Sequence, residues 1–430
     1  MTVRHVDWTS SRASPLRGTV RVPGDKSISH RAIMLAAIAE GTSHITGFLE
    51  GEDTRATARA FAAMGVRIES PRDSERIVHG VGLRGLKRSS GVIDCGNAGT
   101  GMRLLAGLLS AQSFDSTLIG DESLSKRPMR RVIDPLAQMG ARIDAKNGLP
   151  PLHVRGGSPI HGIRYDVPVA SAQVKSAILL AGLYANGETH VIEPHPTRDY
   201  TERMLSALGW PIEFGEGWAK LGGGHRLIAK NIAVPSDVSS AAFFIVAATI
   251  VPGSELTISD VGMNSRRIGL IHVLRLMGAD IAETNARDVG GERVTDLVVR
   301  SAKLKGIDVP EKYVADMIDE FPILFVAAAV ADGTTRVSGA AELRVKESDR
   351  ISVMAAGLNA LGISIEEKPG GAIIEGGSFS GGEVNSAGDH RCAMSFSVAG
   401  ALAALPVTIL DCANVDTSFP GFVDIARACG

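Results

Sequence analysis

A helix-like apolar run that ends in glycine and leads into a short strand-like stub recurs along this chain at intervals of about seventy residues. The copies read Ala63-Met64-Gly65-Val66-Arg67-Ile68, Gln138-Met139-Gly140-Ala141-Arg142-Ile143 and Ala207-Leu208-Gly209-Trp210-Pro211-Ile212. They continue with Leu276-Met277-Gly278-Ala279-Asp280-Ile281 and Ala360-Leu361-Gly362-Ile363-Ser364-Ile365, and a sixth reaches Cys429-Gly430. Glycine just past the last apolar turn is a helix stop, because it takes the left-handed conformation there without a Cβ clash. Each unit also carries an earlier, more apolar helix and a short strand, as in Arg31–Ala39 before Ser43–Thr46 and Ala241–Ile250 before Glu255–Ile258. A helix apolar on all sides must be buried, whereas an amphipathic one faces outward. Six α/β units around buried helices is the expected architecture. A linear solenoid binding partners along one face is the alternative, but two helices and several strands per unit argue against it.

The six units divide three and three. Val22-Pro23-Gly24-Asp25-Lys26-Ser27 opens the first and Val234-Pro235-Ser236-Asp237-Val238-Ser239 opens the fourth. Proline interrupts strand pairing and stiffens a connection, so these matching Val-Pro steps read as paired crossings between domains. The expected domains are residues 23–234 and a discontinuous second domain of 1–22 plus 235–430.

Of the 430 residues, 44% are apolar and 21% charged, enough for two large cores and unlike a disordered chain. With 45 basic and 47 acidic residues the net charge is −2, which gives no global footprint for nucleic acid or an anionic membrane. No run approaches the length of a membrane span, and Met1 to Ser14 lacks a signal-peptide core. Cys95, Cys392, Cys412 and Cys429 are scattered, so free thiols in a cytoplasmic protein are expected. The eleven histidines make no His-Glu-x-x-His cluster, and no metal site is expected.

Chemistry-bearing residues gather at the starts of the buried helices: Lys26, Ser27 and Arg31, then Asn97 and Gly99, then Ser171 and Gln173, then Asp319, then Asp389-His390-Arg391. A helix N-terminus offers unpaired N–H groups and partial positive charge to phosphate or carboxylate. Arg127, Arg198, Lys346 and Arg350 start the second helices and add cations suited to the same anions. Asp319, Glu347 and Asp349 place acid–base groups beside them. Two decoys fail. Gly80-Val81-Gly82-Leu83-Arg84-Gly85 is followed by polar residues where a dinucleotide motif needs a helix, and in Gly24-Asp25-Lys26-Ser27 Asp25 separates Gly from Lys and the upstream glycine spacing is wrong for a P-loop.

At these residues the sequence resembles the 5-enolpyruvylshikimate-3-phosphate synthase family, transferases of the shikimate pathway. The resemblance rests on Leu16–Arg31, on Gly96-Asn97-Ala98-Gly99-Thr100 with Arg103, and on Lys126-Arg127-Pro128-Met129. It extends through Ser171-Ala172-Gln173-Val174-Lys175-Ser176, Leu343–Arg350 and Asp389-His390-Arg391, over nearly the whole chain. It implies a two-domain inside-out α/β barrel-like fold of six βαβαββ repeats, three per domain, closing over the substrates. It implies transfer of the enolpyruvyl group of phosphoenolpyruvate to the 5-hydroxyl of shikimate 3-phosphate with release of phosphate, on the way to chorismate and the aromatic amino acids. Both substrates are polyanions that repel in water, so basic clamps would both offset the repulsion and align the reacting atoms.

By the same resemblance Lys26, Ser27, Arg31, Ser171, Gln173, Arg198, Asp319 and Lys346 take shikimate 3-phosphate. Lys26, Asn97, Gly99, Arg127, Gln173, Arg350 and Arg391 take phosphoenolpyruvate. The implied mechanism is addition–elimination: Asp319 accepts the hydroxyl proton, and Glu347 or Lys26 protonates the methylene carbon. No cofactor is implied, and a cytoplasmic monomer is the default. The chain departs from many relatives at Asp416, where they carry Lys before Thr-Ser-Phe-Pro, at Ala172 in place of a second Ser, and at Glu342 in place of Asn. Gly99 matches the glyphosate-sensitive pattern, while the residues around Lys346–Arg350 look like the less sensitive class. The rivals are the enolpyruvyl transferase of UDP-N-acetylglucosamine, which has Lys-Asn where this chain has Lys26-Ser27 and uses a loop cysteine, and a non-catalytic anion-binding repeat scaffold.

Overall fold

The computed structural model describes residues 6–430, so the first five positions of the expected second domain lie outside the described residues. The chain forms two compact units: Gly24–Val234 with Val289–Gly291, and the residues up to Pro23 with Pro235–Asp288 and Glu292–Gly430.

Each unit is built on three helices that carry almost no polar face. In the first unit these are Lys26–Ala37, Gly99–Leu109 and Ala172–Gly182; in the second, Val238–Ile250, Phe321–Ala329 and His390–Gly400. All residues of Val238–Ile250 and of Phe321–Ala329 are buried. A helix with no polar stripe has nowhere stable to sit except inside, which is why helices rather than strands form the centre of each unit. Val238–Ile250 begins where Asp237 accepts from the Ser239 amide, and it ends at Val251, held extended by the following Pro252. The second helices, such as Glu52–Ala63 and Arg130–Gln138, bury one stripe and expose the rest. The five internal glycines that follow the second helices, Gly65, Gly140, Gly209, Gly278 and Gly362, all have φ between 86° and 102°, as a helix-stopping glycine must.

Six small sheets surround these helices, four of four strands and two of three. In the second repeat, Ile93–Asp94 pairs parallel with Ser116–Ile119, which pairs antiparallel with Leu152–Arg155, whose other edge takes Arg142–Asp144. The third repeat repeats this with Arg164–Asp166, Glu188–Ile192, Trp218–Gly222 and Ile212–Gly215. Four of the six sheets have this four-stranded form; the fifth, Thr334–Val337, Gly371–Glu375 and Ile365–Lys368, and the sixth have three strands each, so the expected βαβαββ repeat is abbreviated in the last two.

Three strands pair into repeats distant from their place in the chain. Arg17–Val20 precedes the first buried helix, yet it pairs parallel with Glu255–Ile258 in the fourth repeat. Ile232–Ala233 precedes the fourth buried helix but pairs with Ile45–Thr46 in the first. Trp8–Ser10 supplies the antiparallel strand of the sixth sheet, against Val407–Leu410. The first of these connections is tight: a Cβ on Gly24 would lie 1.8 Å from the Gly47 carbonyl oxygen, so only glycine fits there.

Candidate active site

In the first unit, Asp25 caps the first buried helix by accepting from the Ile28 amide at 2.8 Å, and the Tyr200 hydroxyl donates to its other oxygen at 3.1 Å. Lys26, the first helical residue, forms an ion pair with the nearly buried Asp53 carboxylate. Ser27 receives a long contact from Arg198 at 3.5 Å. Arg31, one turn on, is turned inward and 3% exposed. It donates to Thr201 Oγ1 at 2.7 Å, Ser176 Oγ at 2.8 Å and the Ser27 carbonyl at 3.0 Å. Burial lowers its pKa to about 10, with Glu202 and Asp25 opposing that shift and Arg198 adding to it. His30 stays neutral, because burial, then Lys26 and Arg31, push its pKa well below the ordinary histidine value.

The second buried helix starts differently, with no side-chain cap. A Cβ on Gly99 would meet Arg127 Nη1 at 3.1 Å and Arg103 Nη1 at 3.2 Å, so two guanidinium groups flank the open start of this helix. Arg127 is aimed by Asn97, which accepts from it at 2.7 Å and in turn donates to Asp121 at 2.7 Å. Arg103 donates to Gln173 Oε1 at 2.7 Å, and Gln173 Nε2 donates to Thr100 Oγ1 at 2.9 Å. Ser171 caps the third helix, its hydroxyl 3.4 Å from the Val174 amide.

The second unit gathers its own cluster around Asp319. Arg350 Nη1 lies 3.4 Å and Lys346 Nζ 3.9 Å from one carboxylate oxygen, and Arg267 Nη1 3.5 Å from the other. Arg391 donates to the Asp319 backbone carbonyl at 3.1 Å and to Glu320 at 3.4 Å. Arg350 also holds Asp389 at 2.8 Å and Glu347 at 2.5 Å. Burial would lower its pKa, but Asp389, Glu347 and Asp319 outweigh that and raise it. Glu342, where some relatives carry Asn, pairs with Lys346 at 3.1 Å. The turn Ala413–Thr417, which contains Asp416, is tied down by Asn414, donating to the Gly388 carbonyl at 2.6 Å.

One expectation needs correcting. Not every buried-helix start is an open anion cradle: Asp25, Asp237 and Asp389 turn their own carboxylates onto the first amides of three of the six helices. Their partial positive charge is already met, so the cations near those ends are side chains. The start at Gly99 has no such carboxylate. Sequence reasoning also left Arg103, Arg267, Asp53 and Glu320 without roles. Arg103 is four residues after Gly99 and thus on the same helix face. Arg267 precedes the second helix Gly269–Leu276, where Arg127 and Arg198 stand in their own repeats, so the repeat itself contained the signal.

All four cysteines are free and buried. Burial, with Asp94 and Asp53, pushes the Cys95 thiol up to about 12. Among the described residues no group of three or more His, Cys, Asp or Glu side chains could hold a metal ion, and no helix is long and apolar enough to cross a membrane.

Six α/β repeats wrapped around buried helices, with guanidinium-rich clusters at the helix starts, define an inside-out α/β protein with anion-binding chemistry. The profile of the EPSP synthase (3-phosphoshikimate 1-carboxyvinyltransferase) family matches residues 11–425. The 3-phosphoshikimate 1-carboxyvinyltransferase of Xanthomonas campestris pv. campestris strain B100 is 64% identical over 424 residues, 98% of this chain and 97% of the relative. That of Xanthomonas axonopodis pv. citri strain 306 is also 64% identical, over 98% and 96% of the two chains. A solved EPSP synthase from Acinetobacter baumannii superposes with a TM-score of 0.90 at 52% identity, covering 99% of this chain and 98% of that one. The chain belongs to the EPSP synthase family and is a transferase.

Proposed function

We propose that this enzyme transfers the enolpyruvyl group of phosphoenolpyruvate to the 5-hydroxyl of shikimate 3-phosphate and releases inorganic phosphate. The observation that supports this best is the pair of guanidinium groups, Arg127 and Arg103, flanking Gly99 at an uncapped helix start. An anion there meets two cations and a helix start that no side-chain carboxylate caps. Asn97, Gly99, Arg127 and Gln173 are assigned to phosphoenolpyruvate, together with Arg350, Arg391 and Lys26. Lys26, Ser27, Ser171, Gln173, Arg198, Asp319 and Lys346 are assigned to shikimate 3-phosphate, with Arg31 acting from behind Ser27.

Asp319 takes the proton of the 5-hydroxyl as its oxygen bonds to C2 of phosphoenolpyruvate. Glu347 or Lys26 adds a proton to C3, giving a tetrahedral intermediate. Loss of the C3 proton and cleavage of the C2–O bond then restore the double bond and expel phosphate. Three cations around Asp319 stabilise the carboxylate that this role requires.

The test is phosphate release from purified protein. Release that needs both phosphoenolpyruvate and shikimate 3-phosphate supports the reading. Release with UDP-N-acetylglucosamine instead, or with neither, overturns it. The nucleotide-sugar reading depends on a reactive loop cysteine, and Cys95 is 2% exposed with a thiol that stays protonated at neutral pH.

A further inference from the structure

Beneath the first cluster lies a buried ionic group with no role in the reaction as written. Lys175 Nζ lies 2.7 Å from Glu193 and 2.8 Å from Glu202, and the three side chains are 4%, 0% and 1% exposed. Burial of this kind is costly unless every charge is held, and removing one member leaves another stranded. Burial works against the Lys175 ammonium, but Glu202 and Glu193 outweigh it and hold its pKa above the ordinary lysine value. Burial raises Glu202 in turn, although Lys175 draws it back. The two directions conflict because two carboxylates compete for one ammonium. Glu193 also accepts from the Thr197 hydroxyl at 2.5 Å and amide at 3.3 Å, so it is the better-satisfied anion.

Two members of the group sit on helices that hold cations of the first cluster in place. Lys175 sits on the third buried helix, beside Ser176; Glu202 sits on the helix Tyr200–Ala207, beside Thr201. Ser176 and Thr201 are the hydroxyls that hold the Arg31 guanidinium, and they bond to each other at 2.8 Å. Glu193 anchors Thr197, next in sequence to Arg198. With Arg31 included, two positive and two negative charges form a neutral buried quartet.

We infer that Lys175 is a positioning residue: by clamping Glu193 and Glu202 it fixes the segment from Thr197 to Thr201, and so directs Arg198 and Arg31 at Ser27. This inference rests on the proposed assignment of Ser27 and Arg198 to shikimate 3-phosphate. It predicts a selective defect, since Arg127, assigned to phosphoenolpyruvate, is held by Asn97 and Ser123 on other segments.

The experiment uses the full-length enzyme and two variants, Lys175→Met and Glu193→Gln. Glu193→Gln keeps the side-chain shape and leaves Lys175 and Glu202 as a one-to-one pair, so it tests the idea even if Lys175→Met does not fold. The expected result is a KM for shikimate 3-phosphate raised about tenfold, with the KM for phosphoenolpyruvate within about twofold and kcat within about threefold of the parent. Unchanged KM for shikimate 3-phosphate in folded Glu193→Gln, or an equal rise in both KM values, overturns the inference. Absence of turnover in the parent enzyme would instead overturn the functional assignment, so the two failures are distinguishable.

Discussion

Arg350 donates from Nε to Asp389 Oδ2 at 2.8 Å, and the two side chains are only 2% and 0% exposed. The same carboxylate accepts from the amides of Arg391 and Cys392 at the start of the sixth buried helix. One ion pair therefore joins a second helix, Arg350–Ala360, to a buried one and sets where Arg391 begins. Removing one partner strands the other charge in the core. Asp389→Ala is expected to lose about 3–5 kcal/mol of stability in urea melts, with a large drop in activity.

The same pair makes a pH prediction. Burial alone would raise the Asp389 pKa, but Arg350, helped by His390, outweighs it and holds it below 3.8. A carboxylate depressed on folding stabilises the native state above its unfolded value, and that stabilisation fades as pH falls through the lower folded value. Asp389→Asn should therefore flatten the loss of stability that sets in as pH falls below about 4, while lowering stability near neutrality. Urea midpoints measured across that range provide the check; parallel curves for parent and variant would contradict it.

Asp319 tests the chemistry. Asp319→Ala is expected to lower kcat by about 10² or more, while binding of shikimate 3-phosphate, followed by calorimetry, remains measurable. Unchanged kcat would remove Asp319 as the base.

Gly99→Ala tests the anion cradle. The added methyl would sit 3.1 Å from Arg127 Nη1 and 3.2 Å from Arg103 Nη1, so both guanidinium groups must shift by a few tenths of an ångström. The KM for phosphoenolpyruvate should rise several-fold, and inhibition by the bulkier glyphosate should weaken more. Thermal stability should hold or rise, since Ala outperforms Gly in a helix by about 0.5–1 kcal/mol. Steady-state inhibition curves decide this, and unaltered inhibition would contradict the steric account.

Cys95 offers a simple discrimination. Its buried thiol, raised to about 12, should not react with thiol reagents at neutral pH, and Cys95→Ala should keep parental turnover. Rapid inactivation of the native enzyme through Cys95 would point back to the nucleotide-sugar class.

Much of this protein was legible in one dimension. Helix stops at Gly65, Gly140, Gly209, Gly278 and Gly362 are local events, governed by the φ that a residue without Cβ can adopt. The burial of Val238–Ile250 and Phe321–Ala329 follows from side chains that are apolar on every face. Arg127, Arg198 and Lys346 were found because each precedes a second helix, and the same rule reaches Arg267.

Partnership between distant residues was not legible. The Val-Pro steps placed residues 1–22 with the second domain, but that Arg17–Val20 pairs with Glu255–Ile258 in particular, and Ile232–Ala233 with Ile45–Thr46, depends on which exposed strand edge lies nearest after folding. Local pattern says nothing of that. The same holds for the buried trio of Lys175, Glu193 and Glu202, and for the aspartates that close three of the helix starts. Propensity and periodicity act between neighbours in the chain, and they determined the elements and their repeat. Charge compensation and sheet pairing act through space, so only the folded structure settled which partner each cation takes and which helix starts carry a carboxylate cap.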